Sequence, residues 1–392
     1  MQNVLYYIIM ERCKQIHNHH SLIQKLALVI LLAGSLLCMS SCQSFSRGIQ
    51  TPLSESDASY AEISDNISDG VLEVHVLDVG QGLSVFIRSE DDYFLYDGGN
   101  KAASSFVVSY LQRYGAEKLD YVIASHYDSD HLSGIVGVVN VFSIDTLIAP
   151  NYGTDTPIYD SFLTAAAEKN LPITYPVPNE EYLLGNGSFK ILAPLETGYE
   201  DENNYSIVVL VSIGEKSLLL TGDASLTSEQ EMLVLGAVPD SDVLVIGHHG
   251  SAGSTQEEFL NAVSPDYAII SCGLGNDYGH PSERVTSLLE KNGTLLYRTD
   301  IQGTIDFVMN TNEIVFSESP CENYTPGKDM VLDGSDFHAG DYTYILNTRT
   351  HKFHLPGCDS VAQISVRNRR GSDKTKEELM QDGYDPCGSC RP

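Results

Sequence analysis

Apolar and polar residues alternate from Val71 to Ile87 in VLEVHVLDVGQGLSVFI, and the alternation breaks at Asp78-Val79-Gly80-Gln81-Gly82. A period of two argues two strands, and the Gly-containing break argues a loop between them. Tyr93-Phe94-Leu95-Tyr96 reads as the next strand, ended by Asp97-Gly98-Gly99-Asn100. Residues 103–114 have helical spacing, Leu119–Ala124 reads as a strand and Leu132–Val141 as a helix, with Ser125-His126-Tyr127-Asp128-Ser129-Asp130-His131 between the last two. Ser206–Ile213 and Ser217–Leu220 predict a hairpin about Gly214 that runs into Thr221-Gly222-Asp223. Asp242–Ile246 is a short apolar run before Gly247-His248-His249-Gly250-Ser251, and Ala268–Ser271 is another before a loop carrying His280. Strands interleaved with helices predict an α/β chain.

Leu26–Met39 (LALVILLAGSLLCM) is a continuous apolar run after Lys25 and before Ser40-Ser41-Cys42. Its length suits the core of a signal peptide better than a full membrane span. Small residues before a cysteine resemble a bacterial lipoprotein cleavage box with Cys42 as the lipidated residue; a cleaved secretory signal and an uncleaved anchor are the alternatives. All three place the remainder outside the cytoplasm, lipid anchoring placing it on the outer face of the membrane. Residues 43–70 are rich in Ser, Asp and Glu with no apolar period, as expected of a flexible tether.

The 392 residues, 42% hydrophobic, allow two or three domains. A net charge of −30 argues against a protein that grips nucleic acid by bulk charge. That charge is uneven: residues 43–335 carry 12 Lys/Arg against 44 Asp/Glu, whereas residues 336–392 carry 8 of each. The shift marks a boundary, with a linker expected over 318–338 and a small separate domain over 339–392.

In His126-x-Asp128-x-Asp130-His131, two imidazoles and two carboxylates fall within six residues on a loop leaving a strand. Neutral imidazole and ionised carboxylate are the ligands a divalent cation selects; a solvated polar turn is the other reading of the four alone. Asp223 and His248 also end apolar strands, and strand ends converge on one rim of a sheet. Six candidate ligands result: His126, Asp128, Asp130, His131, Asp223 and His248.

DVGQG, YDGG, SHYDSDH, LLLTGD, GHHGS and YGHPS in this order resemble the metallo-β-lactamase superfamily, and more narrowly the hydrolase domain of ComEC-type competence proteins. The resemblance covers about Val71–Val315 and implies an αββα sandwich over 71–317 with a metal site at one edge of its two sheets. It implies that His126, Asp128 and His248 hold one metal, Asp130 and His131 another, and that Asp223 bridges them. His249 would face substrate and Asp78 would support the metal loop from behind, with Asn203 and Ser206 as further supporting residues. Asp78 and Asp97 have a simpler alternative, satisfying turn backbone. Asp128 stands where many members have His, and Asn203-Asn204-Tyr205-Ser206 holds no His where many members have one; both features fit the ComEC type rather than β-lactamases. The oxygen-rich donor set admits Mn²⁺ beside Zn²⁺.

At the C-terminus His354-x3-Cys358, then 28 residues, then Cys387-x2-Cys390 has the layout of a structural zinc site, with His351 a competing ligand. A disulfide is the alternative in an oxidising compartment. The spacing resembles the zinc-binding domain of the Ada DNA-repair protein. A small zinc-stapled α+β domain is therefore expected. Arg367, Arg369, Arg370 and Lys374 read as solvated charges, with a phosphate-binding patch as the alternative.

The resemblance implies an extracytoplasmic binuclear hydrolase in which a metal-bound water attacks a phosphodiester, of DNA or of a cell-wall polymer. Asp130 would orient the nucleophile, and His249 and His280 would serve the leaving oxygen; His280 could equally be a loop residue bonded to backbone. Two divalent metals and one structural zinc are the expected cofactors. Expected partners are the membrane, through the N-terminal anchor, and a separate channel for any DNA uptake. A phosphorylcholine-esterase-like hydrolase of teichoic acid and a non-catalytic envelope module binding a polyanion are the competing functions.

Overall fold

The computed structural model describes residues 70–330 and 337–392. The expected signal or anchor with Cys42, and the expected tether apart from Gly70, lie outside the described residues. Among the described residues no helix is long and apolar enough to cross a membrane.

Fifteen strands form two sheets. The first has eight: β1 (Leu72–Val76), β2 (Val85–Ser89), β3 (Asp92–Tyr96), β4 (Lys118–Ile123), β5 (Ser143–Ile148), β6 (Ile173–Thr174), β14 (Ile305–Met309) and β15 (Ile314–Phe316), in the order β15-β14-β1-β2-β3-β4-β5-β6. The second has seven: β7 (Glu181–Leu184), β8 (Gly187–Ala193), β9 (Val208–Ile213), β10 (Lys216–Leu220), β11 (Val243–Val245), β12 (Tyr267–Ile270) and β13 (Leu295–Arg298), in the order β13-β12-β11-β10-β9-β8-β7.

The alternation read along the chain becomes the layering. Leu72, Val74, Val76, Val85, Ile87, Phe94 and Tyr96 point between the sheets and meet Phe189, Ile191, Val209, Val211, Leu218 and Leu220 from the second sheet. Their neighbours Phe86, Leu95 and Val122 point the other way, against α1 (Ser104–Arg113), α2 (Ser129–Val141) and α3 (Pro157–Glu168). On the far face of the second sheet, Leu219, Leu244 and Ala268 pack on α4 (Leu226–Val234), α5 (Glu257–Val263) and α6 (Glu283–Asn292). Each large side chain so buried contributes about 1.5–3 kcal/mol. The result is an αββα sandwich.

Two expectations change. First, α2 begins at Ser129, not Leu132, so Asp130 and His131 stand in its first turn. That start is enforced by contact with the Asp97–Asn100 loop: Gly98 N donates to His131 O and Gly134 N to Gly99 O. A Cβ on Gly98 or Gly134 would collide with the other segment's backbone. Second, residues 318–330 are not a free linker. Cys321 N donates to Leu296 O, Tyr324 OH to Thr294 O and Gly327 N to Pro281 O. The buried Arg298 guanidinium donates to Asn323 O and Thr325 O while forming a bidentate pair with Asp300.

The C-terminal residues form a third sheet, β18-β16-β17-β19, from β16 (Tyr344–Asn347), β17 (Lys352–His354), β18 (Arg369–Ser372) and β19 (Asp385–Pro386), with α7 (Thr299–Gln302) before it in the chain and α8 (Lys376–Gln381) within it. This module shares one compact unit with the sandwich. Arg113 pairs with Asp385 at 2.7 Å, Lys374 with Glu318 at 3.0 Å, and Arg370 Nη2 donates to Asp300 O at 2.8 Å.

Candidate metal centre

Each candidate side chain stands just beyond a strand end. The β4 end delivers Ser125–Asp128 and α2 delivers Asp130 and His131; β10 delivers Asp223, and β11 delivers His248 and His249. Asp128 is the N-cap residue of α2, yet its side chain makes no capping bond; its Oδ2 instead lies 3.7 Å from His126 Nε2. His248 and His249 both adopt left-handed backbone, at φ 50° and 57°. Two such non-glycine residues in succession cost about 1–3 kcal/mol each, and strain of this kind concentrates at functional sites.

Asp223 is the centre. Its Oδ1 lies 3.1 Å from His131 Nε2, and its Oδ2 lies 3.5 Å from His249 Nε2, 3.6 Å from His248 Nε2 and 4.0 Å from His126 Nε2. Asp130 Oδ2 lies 3.4 Å from His249 Nε2. The six expected ligands are thus brought together around Asp223: His126, His131 and Asp223 offer ligand atoms within 4.8 Å of one another, as do Asp130, His131 and His249, with Asp128 beside His126 and His248 beside Asp223. His249 joins the second group rather than facing substrate: it is buried, and its Nε2 is 3.1 Å from that of His131.

The outer partners define where the ring protons are. The Ser125 hydroxyl donates to Asp97 Oδ2 at 2.7 Å, so Ser125 Oγ accepts from His126 Nδ1 at 2.9 Å. His131 Nδ1 donates to Asp97 Oδ2 at 2.7 Å, and His249 Nδ1 donates to Ser271 O at 2.9 Å. In the neutral imidazoles each Nε2 then carries only a lone pair, directed at carboxylates and at one another. His126 Nε2 and Asp223 Oδ1 are buried without a hydrogen-bond partner. Such an arrangement is repulsive without positive charge at its centre, and the donor set fits divalent cations: imidazoles fixed from behind by carboxylate, hydroxyl and carbonyl, plus carboxylate oxygens.

Burial disfavours charge on His131, but Asp223 and Asp97 outweigh it and hold the ring well above the usual histidine range. Burial likewise opposes ionisation of Asp223, yet His131 and His249 keep it well below the carboxylate range. Both directions express one demand, for a cation among these groups.

The supporting residues differ in part from expectation. Asp97, read as at most a turn residue, is the carboxylate behind His131. Asp78 does not reach the metal loop. Its Oδ1 accepts from Gly80 N at 3.1 Å in its own loop, and burial pushes its carboxyl up to about 6. The loop it begins supports the site through backbone instead, with Leu83 N donating to Asp130 O. Ser206 Oγ accepts from Asp223 N at 3.1 Å, as a supporting residue should. Asn203 makes no side-chain contact with the centre; its neighbour Asn204 accepts from Ser225 Oγ and Ser228 N just beyond Asp223. The only hint of Asn204 in the sequence was its place beside Asn203. His280 lies at the rim, its ring 5.8 Å from that of His248, with Nδ1 buried and unpartnered. Its loop is held by Asn276, which bonds both His280 N and O.

His354, Cys358, Cys387 and Cys390 also converge, each offering a ligand atom within 4.8 Å of the others. Leu355 N donates to Cys390 Sγ and Ser389 N to Cys387 Sγ, both at 3.4 Å, as suits thiolates. The described cysteines, these three included, are free of disulfides. Four donors on short turns suit one structural zinc. His351 is not a competitor. Its ring stacks on Phe106 at 3.7 Å and its Nε2 donates to Asp78 O at 3.1 Å.

A metallo-beta-lactamase superfamily model matches residues 77–274, which span every ligand of the first cluster. Among curated relatives, Competence protein ComA of Neisseria gonorrhoeae is 35% identical over 239 residues, 60% of this chain and 32% of that protein. ComE operon protein 3 of Bacillus subtilis is 30% identical over 266 residues, 63% and 34% of the two chains. Recombination protein 2 of Haemophilus influenzae is 34% identical over 248 residues, 61% and 29%. The matched part spans about a third of the length of these relatives. With the family model across half the chain, the αββα layers beneath it and the His/Asp cluster on its strand ends, this chain belongs to the metallo-beta-lactamase superfamily, and its relatives are of the ComEC type.

Proposed function

We propose that the chain is an extracytoplasmic, metal-dependent phosphodiesterase that cleaves DNA. The observation that carries the reading is the convergence of the Nε2 atoms of His126, His131 and His249 on the buried carboxylate of Asp223. His126, Asp128 and His248 would hold one divalent cation and Asp130, His131 and His249 a second, and Asp223 would contribute to both. When bound, such cations supply Lewis acidity toward water and toward phosphoryl oxygens.

The chain's own groups supply position. Asp97 and Ser271 O fix the rings of His131 and His249, so those side chains need no reordering during a reaction. Asp130, partly exposed while the other residues of its group are buried, is placed to accept a hydrogen bond from an attacking water and set its direction. With a cation held at its Nε2, His249 would have no proton to give a leaving group, because Nδ1 is engaged by Ser271 O. His280 at the rim is the remaining donor to a departing oxygen. The names of the competence relatives favour DNA as the phosphodiester.

The test is hydrolysis of bis(p-nitrophenyl) phosphate and of single-stranded and duplex DNA by the full chain reconstituted with Zn²⁺ or Mn²⁺, with Asp130→Ala beside it. Cleavage of the small diester and DNA that the variant loses is expected. Cleavage of the small diester alone overturns DNA as substrate, and no cleavage by protein with two metals bound overturns the phosphodiesterase.

A further inference from the structure

Where the C-terminal module meets the sandwich, a polar groove of about 520 Å³ runs between the Val79–Gln81 loop and the module. Its floor is the active-site support: Gly82 abuts the Asp130 backbone, and Gln81 Oε1 accepts from Gly273 N. Asn100 ties the floor down, donating to Val79 O and Gln81 O at 2.6 and 2.8 Å. The far wall carries Arg349 and Arg367, both exposed, with Asn368 and Ser365. No carboxylate is among the described residues that line it. In a chain with 53 acidic and 23 basic residues, two arginines and no acid among the residues lining one groove, with Asp277 the one carboxylate paired to either guanidinium among the described residues, is a local reversal of charge.

One wall of the groove touches the loop that carries His280. Arg367 Nη1 lies 3.9 Å from Asp277 Oδ1, on the loop that carries His280. Next to Asp277, Tyr278 is 72% exposed, and its ring stacks on His280 at 5.5 Å with 21° between planes. Of the four basic residues singled out in the sequence, Arg370 and Lys374 are used in holding the module to the sandwich, and the Arg369 guanidinium lies over the Phe337 ring at 4.6 Å. Arg367 makes only the long, exposed pair with Asp277, which a phosphate can displace, and Arg349 has no ion pair among the described residues.

We infer that the C-terminal module completes the substrate track: Arg349 and Arg367 grip backbone phosphates of a single-stranded nucleic acid in this groove, and Tyr278, beside His280, stacks a base where the strand enters the metal centre. The inference rests on the phosphodiesterase reading for its choice of substrate. Guanidinium pairs along a groove followed by an exposed aromatic face form the arrangement that binds single strands without base-specific contacts. A wall polymer would use the arginines but has no base for Tyr278.

The experiment measures binding, so it does not depend on turnover. Full chain is titrated into a labelled phosphorothioate oligothymidine of about 16 nucleotides and followed by fluorescence anisotropy from about 50 to 200 mM salt. R349Q/R367Q is expected to weaken binding about tenfold at low salt and to lower the log–log salt slope by about 1.4, at about 0.7 per phosphate contact. Tyr278→Ala is expected to weaken oligothymidine at least about fivefold and to leave binding of base-free poly(glycerol phosphate) unchanged. Equal circular-dichroism melts confirm that these surface variants fold. Unchanged affinity and slope in the double variant overturn the groove. Poly(glycerol phosphate) binding as tightly as oligothymidine overturns the nucleic-acid occupant. Binding as expected without cleavage of any diester sinks the phosphodiesterase alone and leaves the groove standing.

Discussion

His131 Nδ1 lies 2.7 Å from Asp97 Oδ2, and both side chains are fully buried. The same Asp97 oxygen accepts the Ser125 hydroxyl, which in turn accepts from His126. One carboxylate therefore sets the tautomer of two imidazoles that both face Asp223. Asp97→Asn removes the ionised acceptor while keeping its volume. It should weaken divalent-metal binding about 10- to 100-fold, the usual cost of losing such a support. Competition titration with a metallochromic chelator measures it; unchanged affinity would show that Asp97 serves only its turn.

Gly134 on α2 and Gly98 in the preceding loop touch backbone to backbone, with no room for a Cβ on either. Gly134→Ala forces α2 away from that loop and carries Asp130 and His131 with it. A destabilisation of about 1–3 kcal/mol is expected from overpacking, together with reduced metal content. Thermal unfolding and elemental analysis read the two effects. Gly340→Ala, at a position with open space around it, should change neither.

Arg298 and Asp300 form a fully buried bidentate pair, which also ties down the 318–330 segment through Asn323 O and Thr325 O. Removing one partner leaves an uncompensated charge, so Asp300→Ala should cost about 3–5 kcal/mol. Replacing both by apolar residues should cost less, because no lone buried charge remains. Urea denaturation of the single and double variants separates these outcomes.

His351 supplies a pH dependence away from the metal cluster. Burial, opposed by the hydrogen bond to the carbonyl of Asp78, lowers it to about 4 in the folded protein, against about 6.5 in an unfolded chain. The fold favours the neutral ring, so its contribution is complete above pH 6.5 and is lost as pH falls toward 4. The loss approaches about 3 kcal/mol. Asp78 and Asp382, both pushed up to about 6 by burial, run the other way: their folded forms hold a proton longer, which opposes stability as pH rises through that value. The difference between wild type and His351→Phe isolates the histidine. Phenylalanine keeps the stack on Phe106, so the variant should gain on wild type between pH 6.5 and 4. A gap independent of pH would refute the assignment.

The cysteine cluster predicts a count. Wild type should retain one tightly held zinc after mild chelation, and Cys387→Ser should not, as native mass spectrometry would show. β19, immediately before Cys387, pairs with β17 and holds Asp385 against Arg113. Loss of the zinc should therefore lower the melting temperature of the full chain as well.

The sequence by itself determined the layers and most of the cluster. Period-two apolar segments, each stopped by Gly or Asp, place His126, Asp128, Asp130, His131, Asp223 and His248 just beyond strand ends, where chain geometry alone brings them to one rim. The four-residue His/Cys cluster was likewise legible, because His354-x3-Cys358 and Cys387-x2-Cys390 are each a local turn. Tertiary structure decided what local spacing leaves open. Two left-handed residues turn His249 inward, onto Asp130 and His131. Asp97 and Asp78 occupy similar Gly-rich turns, yet only Asp97 faces the imidazoles, because its loop packs on α2 while the Asp78 carboxyl folds back on its own. His351 was drawn from the cysteines to Phe106 and Asp78 by contacts more than 240 residues away in the chain. The basic run divided between anchoring and an open groove once the sandwich lay beneath it. In each case the deciding neighbour is distant in sequence, and the energy that selects it comes from burial and hydrogen bonding available only after the layers have closed.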